Sequence, residues 1–302
     1  MQATQILKLT AATLLVLCCL AACNNKKSNT NASNDNTNSI VDNKRLSFDT
    51  LSYVDHPAGI PAIDIEISIQ LPIVDNDIAI SNVLRKNMLA DVIGEKYITS
   101  DDARSNLKQH IAALQSDFEA SMAELDFVPD EAEDGMEYMF KWEYMNKSNV
   151  VLYEGQLLVY RNLFYGYQGG AHGFGGEQYS VYSTSSGKKL TTNDIFKTDT
   201  TSQAAMAQIV KKQLELMMTN DEEYANIEIF DWDSVKPIDN YAVDSDGITF
   251  HYLPYEIAPY CYGQLAIKVP YTLIEPYLNE GTAVQLYFKS TSPTHQQLAS
   301  NN

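Results

Sequence analysis

Residues 63–71 read Ile-Asp-Ile-Glu-Ile-Ser-Ile-Gln-Leu, an unbroken alternation of apolar and polar side chains. Successive side chains of a β-strand point to opposite faces, so the segment predicts a strand with one face in a core and one in water. We place it in a first folded region that begins near Leu46.

Helical spacing predicts three longer helices. The first covers residues 77–92, and the third covers residues 200–218. The second begins after Ser100 as its N-cap, has Asp101 and Asp102 in its first turn, and ends at Pro129. Their apolar faces are expected to contain Ile80, Val83, Leu84 and Met88, then Ile111, Leu114, Phe118, Met122 and Leu125, and finally Met206, Val210, Leu214 and Met217.

Hairpins and short elements fill the rest of the chain. Predicted strands cover 136–145, 149–161, 177–184, 264–270 and 283–289, with a hairpin over 240–252 closed at 244–247, a turn at 146–148 and short helices at 191–196 and 272–278. Strands and helices mix without a βαβ rhythm, which favours an α+β fold with mainly antiparallel sheets. We divide it into regions 45–187 and 188–290, followed by a flexible tail over 291–302.

The N-terminus predicts export and lipid attachment. Residues 1–22 have the features of a signal peptide, with Lys8 before an apolar run that is too short to span a bilayer. The run ends in Leu-Ala-Ala-Cys, which is typical of a lipoprotein processing site and makes Cys23 the predicted lipidated residue. Cleavage near Ala22 by an ordinary signal peptidase is the alternative. Two or three acyl chains would anchor the protein stably.

An asparagine-rich segment follows the predicted anchor. Seven of the 16 residues from 24 to 39 are Asn, so we expect residues 23–44 to form a disordered tether. Asn24 in place of Asp favours the outer membrane of the cell envelope by the usual bacterial sorting rule. With Cys18, Cys19 and Cys23 assigned to the signal and anchor, Cys261 is left alone, so no intramolecular disulfide is expected. We expect Cys261 to be buried.

Composition excludes several function classes. The chain has 21 basic and 39 acidic residues, a formal charge of −18, so the basic face of a nucleic-acid binder is absent. Nine acidic residues lie between Asp117 and Glu137 without a basic one; a solvated face or a docking patch for a cationic protein would explain them. Common catalytic signatures are absent, and the five histidines are widely spaced, so we expect no metal or cofactor.

A glycine-rich stretch covers residues 166–176. Six of the 14 glycines fall here, including Gly169, Gly170 and Gly173. Glycine permits positive φ and close backbone approach. A histidine held in such a loop, His172, can act as an acid–base group or a ligand-binding side chain, or can have a structural role.

Two stretches are rich in tyrosine. One runs from Tyr160 to Tyr182 and includes Tyr165; the other, over 251–263, reads His-Tyr-Leu-Pro-Tyr-Glu-Ile-Ala-Pro-Tyr-Cys-Tyr-Gly. Tyrosine provides rigid, amphipathic contact area suited to protein or sugar surfaces, and it is also common in sheets. From these stretches we predict His172, Tyr165, Tyr255, Glu256 and Tyr260 as ligand-binding residues, and Gly169, Gly170, Gly173, Pro259 and Gly263 as structural residues of the two motifs.

These two stretches resemble the RsiV-type extracellular region. The Gly-Gly-Ala-His-Gly loop with 186–190 and 194–196, and the Pro-Tyr-Glu-Ile-Ala-Pro-Tyr motif with 269–271, have the same arrangement there. The resemblance covers roughly residues 45–290. It implies a PdaC-like N-terminal domain before a C-terminal domain of unknown function, and a binding module related to one that binds lysozyme. The anti-sigma segment and the deacetylase ligand motif are not in this sequence, so neither activity is implied.

Three functional hypotheses follow. The first is a non-enzymatic envelope lipoprotein that binds a protein, such as cationic lysozyme, or a peptidoglycan fragment. The second is a structural or assembly lipoprotein that contacts another envelope protein. The third is a hydrolase using His172 and Glu256, which requires both side chains to meet in one pocket.

Overall fold

The computed structural model describes residues 46–74, 77–125 and 137–291. Its strands are β1 (Leu46–Asp55), β2 (Ala62–Val74), β3 (Lys141–Glu154), β4 (Leu157–Tyr167), β5 (Phe174–Ser183), β6 (Tyr241–Asp244), β7 (Gly247–Tyr252) and β8 (Leu265–Pro270). Its helices are α1 (Ile78–Ile93), α2 (Ala103–Ala123), α3 (Thr192–Ile195), α4 (Thr200–Asn220), α5 (Tyr271–Ile274) and α6 (Ala283–Thr291). The prediction of an α+β fold is confirmed.

The larger sheet has the strand order β1-β2-β3-β4-β5. All neighbours are antiparallel except β2 and β3, which run parallel, with Ala62 opposite Lys141. Parallel neighbours need a crossover connection, and α1 and α2 lie between these two strands in the chain. The predicted strand over 63–71 is confirmed as the middle of β2.

The predicted turn at 146–148 is wrong. β3 continues through these residues, and the chain reverses instead between Glu154 and Leu157, where Gly155 has a φ of +58°. Asn146 and Ser148 have a turn-like composition, but both are buried and pair with β2 on one side and β4 on the other. Tertiary pairing has overridden the local preference of these residues.

The smaller sheet is antiparallel, with the order β6-β7-β8. The predicted hairpin over 240–252 is confirmed, and Asp244 accepts hydrogen bonds from the backbone N–H groups of Asp246 and Gly247 in its turn. Helix α4 packs on this sheet through Met206, Val210 and Leu214. Two sheets are therefore present, and no strand pairing joins them into one continuous sheet among the described residues.

Strands β4 and β5 contribute side chains to two hydrophobic cores, one on each face of the sheet. Leu158, Tyr160 and Tyr182 pack with β2, α1 and α2, while the alternate residues Leu157 and Val159 pack with the smaller sheet and α4. Both faces of these strands are buried because each is covered by a different set of elements. The division of the fold into two domains at residue 187 stays a prediction. Side chains from both sides of this boundary pack in the same core.

Amide side chains link the two sheets. Asn240 Oδ1 accepts a hydrogen bond from the N–H of Tyr179 at 2.7 Å, and its Nδ2 donates to the carbonyl groups of Glu177 and His251. Gln264 bonds both the N–H and the carbonyl group of Glu177. These side-chain amides therefore form hydrogen bonds with backbone groups at the outer edge of β5, where a neighbouring strand would form them in a longer sheet.

Helix α2 begins two residues later than predicted. Its N-cap is Asp102, whose side chain accepts a hydrogen bond from the N–H of Arg104, so Ser100 is not the N-cap and no acidic residue lies in the first turn. Ile111 and Phe118 are buried as expected, whereas Val83 of α1 and Leu125, just beyond α2, are exposed. Pro129 lies outside the described residues.

Two predictions near the C-terminus are wrong. Residues 283–291 form helix α6 rather than a strand, because Val284 and Phe288, four residues apart, pack together into the core. The hydroxyl of Thr282 accepts a hydrogen bond from the N–H of Gln285, a Thr-x-x-Gln start signal that marks a helix. Cys261 is exposed rather than buried.

The signal peptide, Cys23, the tether and most of the tail lie outside the described residues. None of the described helices combines the length and the apolar character that a membrane crossing requires.

Candidate functional site

A cavity of about 550 Å³ lies on one face of strands β3, β4 and β5. This face continues the one that α1 and α2 cover further along the sheet, and Asp91 and Val92 of α1 border the cavity. We call it the β3–β5 cavity; its other lining residues are Tyr144, Met145, Asn146, Asn162, Phe164, Tyr165, Gly166, Gln168, Gly169, His172, Phe174 and Gln178.

Two strand asparagines form its polar base. Asn162 lies opposite Gln178 in the ladder, and Asn146 lies opposite Phe164, so these side chains share one face. Asn162 Nδ2 donates a hydrogen bond to Asn146 Oδ1 at 2.9 Å, and Asn146 Nδ2 donates to the hydroxyl of Tyr144. Asn162 is only 6 % exposed, and its Oδ1 has no hydrogen-bond partner.

The same chain of hydrogen bonds ends at His110 of α2. His110 Nε2 lies 2.8 Å from the hydroxyl of Tyr144. Burial, with a smaller contribution from nearby Lys96, lowers the pKa of His110 to about 4, while burial raises the pKa of Tyr144 to about 12. The imidazole is therefore neutral near pH 7, and its Nε2 shares a hydrogen bond with the Tyr144 hydroxyl.

An aromatic cluster adjoins the cavity through His172, which is the one member of the cluster among the lining residues. The ring of His172 stacks on Tyr260, with 4.1 Å between centroids, and lies 6.3 Å from the ring of Tyr255. Nδ1 of His172 donates to the carbonyl group of Gly173 at 2.9 Å, which leaves Nε2 as the acceptor facing the Tyr255 hydroxyl at 3.4 Å. We call His172, Tyr255 and Tyr260 the aromatic rim.

Tyr255 has a strained backbone. Its φ of +71° makes it the one non-glycine residue with positive φ among the residues that the structure describes. A bulky side chain in this region costs about 1–3 kcal/mol, and such strain is concentrated at functional sites. Tyr255 is 53 % exposed, so packing of its side chain in the core does not explain the strained backbone.

Tyr165 packs against the glycine-rich loop. A Cβ atom at Gly173 would lie 2.4 Å from the Tyr165 hydroxyl, so the absence of a side chain at Gly173 makes room for this ring. Burial, then the charge of Glu143 and then Tyr260, raise the pKa of the Tyr165 hydroxyl. Tyr260 affects the pKa of Tyr165 because the two tyrosine-rich stretches lie close together here.

The remaining motif residues shape the two loops. Gly169, Gly170 and Gly263 have φ values of +80°, +98° and +65°, which glycine adopts without strain. Pro259 precedes the 3₁₀ turn over Tyr260–Tyr262, which Gly263 ends. These residues set the path of both loops, so that the hydroxyl of Tyr260 donates to the carbonyl group of Gly173 at 2.8 Å.

Glu256 does not join this cavity. Its Oε2 accepts a hydrogen bond from the N–H of Leu253 at 2.8 Å and closes the turn between them. The side chain borders a different cavity of about 360 Å³, together with Asn240 and Tyr252. His172 and Glu256 therefore line separate cavities, and the geometry that the hydrolase hypothesis requires is not formed there.

Several lining residues were not predicted from the sequence. Asn146 lies in the stretch interpreted as a turn, and Asn162, Phe164, Phe174 and Gln178 lie within the tyrosine-rich stretch but were not singled out in it. The available signal was the presence of asparagine at strand positions, where this residue is disfavoured. No group of three or more metal-binding side chains occurs in the described part of the chain.

Comparison with known proteins identifies part of the chain. Residues 193–272 match the family model DUF3298, a protein of unknown function. The chain contains a DUF3298 domain. This domain includes α4 and the smaller sheet, and it contributes Tyr255 and Tyr260 to the aromatic rim.

Solved structures extend the similarity beyond this domain. The crystal structure of a DUF3298 family member from Bacteroides fragilis, at 2.30 Å resolution, aligns with a TM-score of 0.68 and 26 % identity, covering 82 % of this chain and 98 % of that one. A DUF3298 family protein from Pseudomonas aeruginosa PAO1 aligns with a TM-score of 0.48 and 16 % identity, covering 80 % and 96 %. A search of curated proteins found no match. The RsiV-type and PdaC-like resemblance stays a prediction.

Proposed function

We propose that this protein is a non-enzymatic binding module of the bacterial cell envelope, and that its ligand binds in the β3–β5 cavity. Lipid attachment at Cys23 and an outer-membrane location are part of the proposal and rest on the N-terminal sequence.

The convergence of predicted residues carries the proposal. His172, Tyr165, Tyr255 and Tyr260 come from two stretches about 90 residues apart, and all four meet at the cavity or at its aromatic rim. A concave site with aromatic walls and a few polar groups is the usual form of a small-ligand site. The exposure and backbone strain of Tyr255 support a role in contact with a ligand.

The lining favours a peptidoglycan-related ligand. Amide side chains of Asn162 and Gln178 supply neutral donors and acceptors, and Phe164 and Phe174 supply flat apolar surface. Sugars present hydroxyl groups at their edges and C–H groups on their faces, so they match aromatic rings combined with neutral polar groups. The volume of about 550 Å³ is in the usual range for a small ligand.

A cationic protein such as lysozyme is the second candidate. The observation that favours it is the formal charge of −18, because an acidic protein attracts a basic partner and accelerates their encounter. This attraction would act over the whole surface and would not require the cavity.

Isothermal titration calorimetry with soluble peptidoglycan fragments and with a c-type lysozyme tests both candidates. We expect fragment binding that changes little between low and physiological salt, because the cavity contacts are neutral. Lysozyme binding that disappears at physiological salt would reflect charge attraction alone. If neither binds at either salt, the proposed function is wrong, and an assembly role with another envelope protein is favoured.

A pair of variants tests whether the ligand binds at the aromatic rim. Tyr255→Ala removes a 53 % exposed ring that contacts His172, and we expect it to weaken fragment binding at least about tenfold. Phe230→Ala removes an aromatic ring of similar exposure that does not line the cavity, so it should leave binding unchanged. Equal effects of the two variants would argue against the rim as the binding site.

A further inference from the structure

We propose that strand β1, at one edge of the larger sheet, is a docking surface for a second copy of this chain. The two β1 strands pair antiparallel about a two-fold axis at Leu51 and join two five-stranded sheets into one. Strand β1 contributes no residue to the β3–β5 cavity, so this inference is independent of the proposed ligand site.

The two edges of the larger sheet differ. At β5, the side-chain amides of Asn240 and Gln264 bond backbone groups of the edge. At β1, no strand pairs with the outer edge within the described part of the chain, and the N–H of Thr50 donates to the carboxylate of its neighbour Asp49 at 2.8 Å. Backbone donors and acceptors along an exposed edge are a template for another strand, so β1 is the edge at which this sheet can be extended.

Strand β1 lacks the features that usually protect an edge strand. Its ten residues read Leu-Ser-Phe-Asp-Thr-Leu-Ser-Tyr-Val-Asp, with no lysine or proline, and they pair with β2 in one register without a bulge. Lysine, proline and bulges commonly prevent association of one sheet edge with another. A long, regular edge without them favours pairing with a partner strand.

The exposed apolar side chains of β1 complement each other about Leu51. Phe48 and Val54 are 38 % and 61 % exposed, although both are apolar. They lie at equal distances along the chain on either side of Leu51, and they share the face opposite to it because side chains alternate along a strand. A two-fold axis at Leu51 places Phe48 of each copy opposite Val54 of the other. Aromatic and β-branched side chains that oppose each other stabilise strand pairing.

The charges of β1 fit the same register. Asp49 lies opposite Tyr53 of the second copy, and Asp55 lies opposite Ser47, so no two carboxylates oppose each other. Within its own chain Asp49 lies 3.5 Å from Arg85 Nη2, and Asp55 accepts a hydrogen bond from the Tyr53 hydroxyl. A shift of two residues in one direction would oppose the two aspartates, which destabilises strand pairing. Charge therefore favours the register that the apolar side chains favour.

Sedimentation velocity across the micromolar range tests the inference with single substitutions. Val54→Lys places a charge against Phe48 of the second copy, and we expect it to weaken self-association at least about tenfold. Val151→Lys makes the same change at a 46 % exposed position of β3, which is not an edge strand, and should leave self-association unchanged. Circular dichroism confirms that each variant folds.

A mixing experiment tests the register. Phe48→Glu and Val54→Lys should each associate weakly alone, because each introduced charge then faces an apolar side chain. When the two variants are mixed, the introduced carboxylate faces the introduced ammonium group, and the unchanged Val54 and Phe48 face each other. We therefore expect a mixed dimer that neither variant forms by itself.

Each outcome decides the inference. A protein that stays monomeric across this range would overturn it, and so would self-association that Val54→Lys leaves unchanged, since another surface would then be responsible. Loss of self-association in both variants without a mixed dimer would overturn the antiparallel register at Leu51. If Phe48→Glu does not fold, the comparison of Val54→Lys with Val151→Lys still decides whether β1 is the surface. None of these results depends on binding of a sugar or of lysozyme, so the proposed function is tested separately.

Discussion

The imidazole of His172 stacks on the ring of Tyr260, with 4.1 Å between the ring centroids and 22° between the ring planes. This contact joins the glycine-rich loop to the tyrosine-rich loop of the DUF3298 domain. A hydrogen bond from the Tyr260 hydroxyl to the Gly173 carbonyl group reinforces it. The aromatic rim therefore depends on both loops.

Tyr260→Phe should loosen the glycine-rich loop. The variant keeps the stacked ring and removes one hydrogen bond, which we expect to cost about 1 kcal/mol of stability. Amide hydrogen exchange of residues 169–173 should become faster. Tyr262→Phe removes a comparable bond, to the carbonyl group of Asn226, and serves as the control. Equal exchange of 169–173 in the two variants would contradict the prediction.

Gly173→Ala should displace the Tyr165 ring. The new methyl group would lie 2.4 Å from the Tyr165 hydroxyl, so the ring must move away from the loop. We expect a loss of about 1–3 kcal/mol in the free energy of unfolding, together with weaker ligand binding. Denaturation of Gly173→Ala, Tyr165→Ala and the double variant measures the coupling. Additive effects would show that the two residues do not interact.

Asn240→Ala should weaken the link between the sheets. The amide bonds three backbone groups, those of Tyr179, Glu177 and His251, and alanine replaces none of these bonds. Unpaired backbone groups at partly buried positions make a loss of about 3 kcal/mol the expected result. Urea denaturation measures it, with Asn220→Ala as the surface control. A loss as small as that of the control would show that Asn240 is dispensable.

Stability should fall as the pH decreases from about 6.5 to about 4. Burial lowers the pKa of both His110 and His251 to about 4, so the unfolded chain binds more protons than the folded one in this range. The stabilisation is complete above the ordinary histidine pKa and is lost toward the folded value. Each histidine contributes roughly 3 kcal/mol at most.

Denaturation between pH 7 and pH 4 tests this dependence. His110→Gln and His251→Gln should each reduce the slope of stability against pH, whatever their effect on stability at pH 7. His56→Gln, at a 56 % exposed side chain, is the control for the loss of a surface imidazole. An unchanged slope in all three variants would show that neither buried histidine governs the pH dependence.

The secondary structure was predictable where a pattern persists along many residues. The alternation over 63–71 predicts β2, and the 3.6-residue spacing predicts α1 and α4, because a buried face repeats with the geometry of the element. The prediction was wrong at Asn146–Ser148 and at 283–289. In the first case strand pairing on both sides overrides local preference; in the second, apolar and aromatic residues were interpreted as a strand despite a helix-start signal at Thr282.

The candidate site was predictable only in part. The cluster of glycines predicted a site residue at His172, and the density of tyrosines predicted Tyr255 and Tyr260, because both compositions are unusual. Glu256 belonged to the same motif, yet its side chain closes a local turn and borders another cavity. Nothing in the local sequence of Asn162 distinguishes it from a surface asparagine, because its burial depends on partners distant in the chain.

The sequence by itself determined the α+β class, the position of most elements and the two loops that contain the rim residues. These follow from side-chain periodicity and backbone freedom, which act over a few residues. Only the tertiary structure decided that β4 and β5 contribute side chains to two cores, that the two loops meet at His172 and Tyr260, and that Asn146 and Asn162 are buried and hydrogen-bonded to each other. Each of these depends on strand register and on contacts between distant residues, which local patterns do not specify.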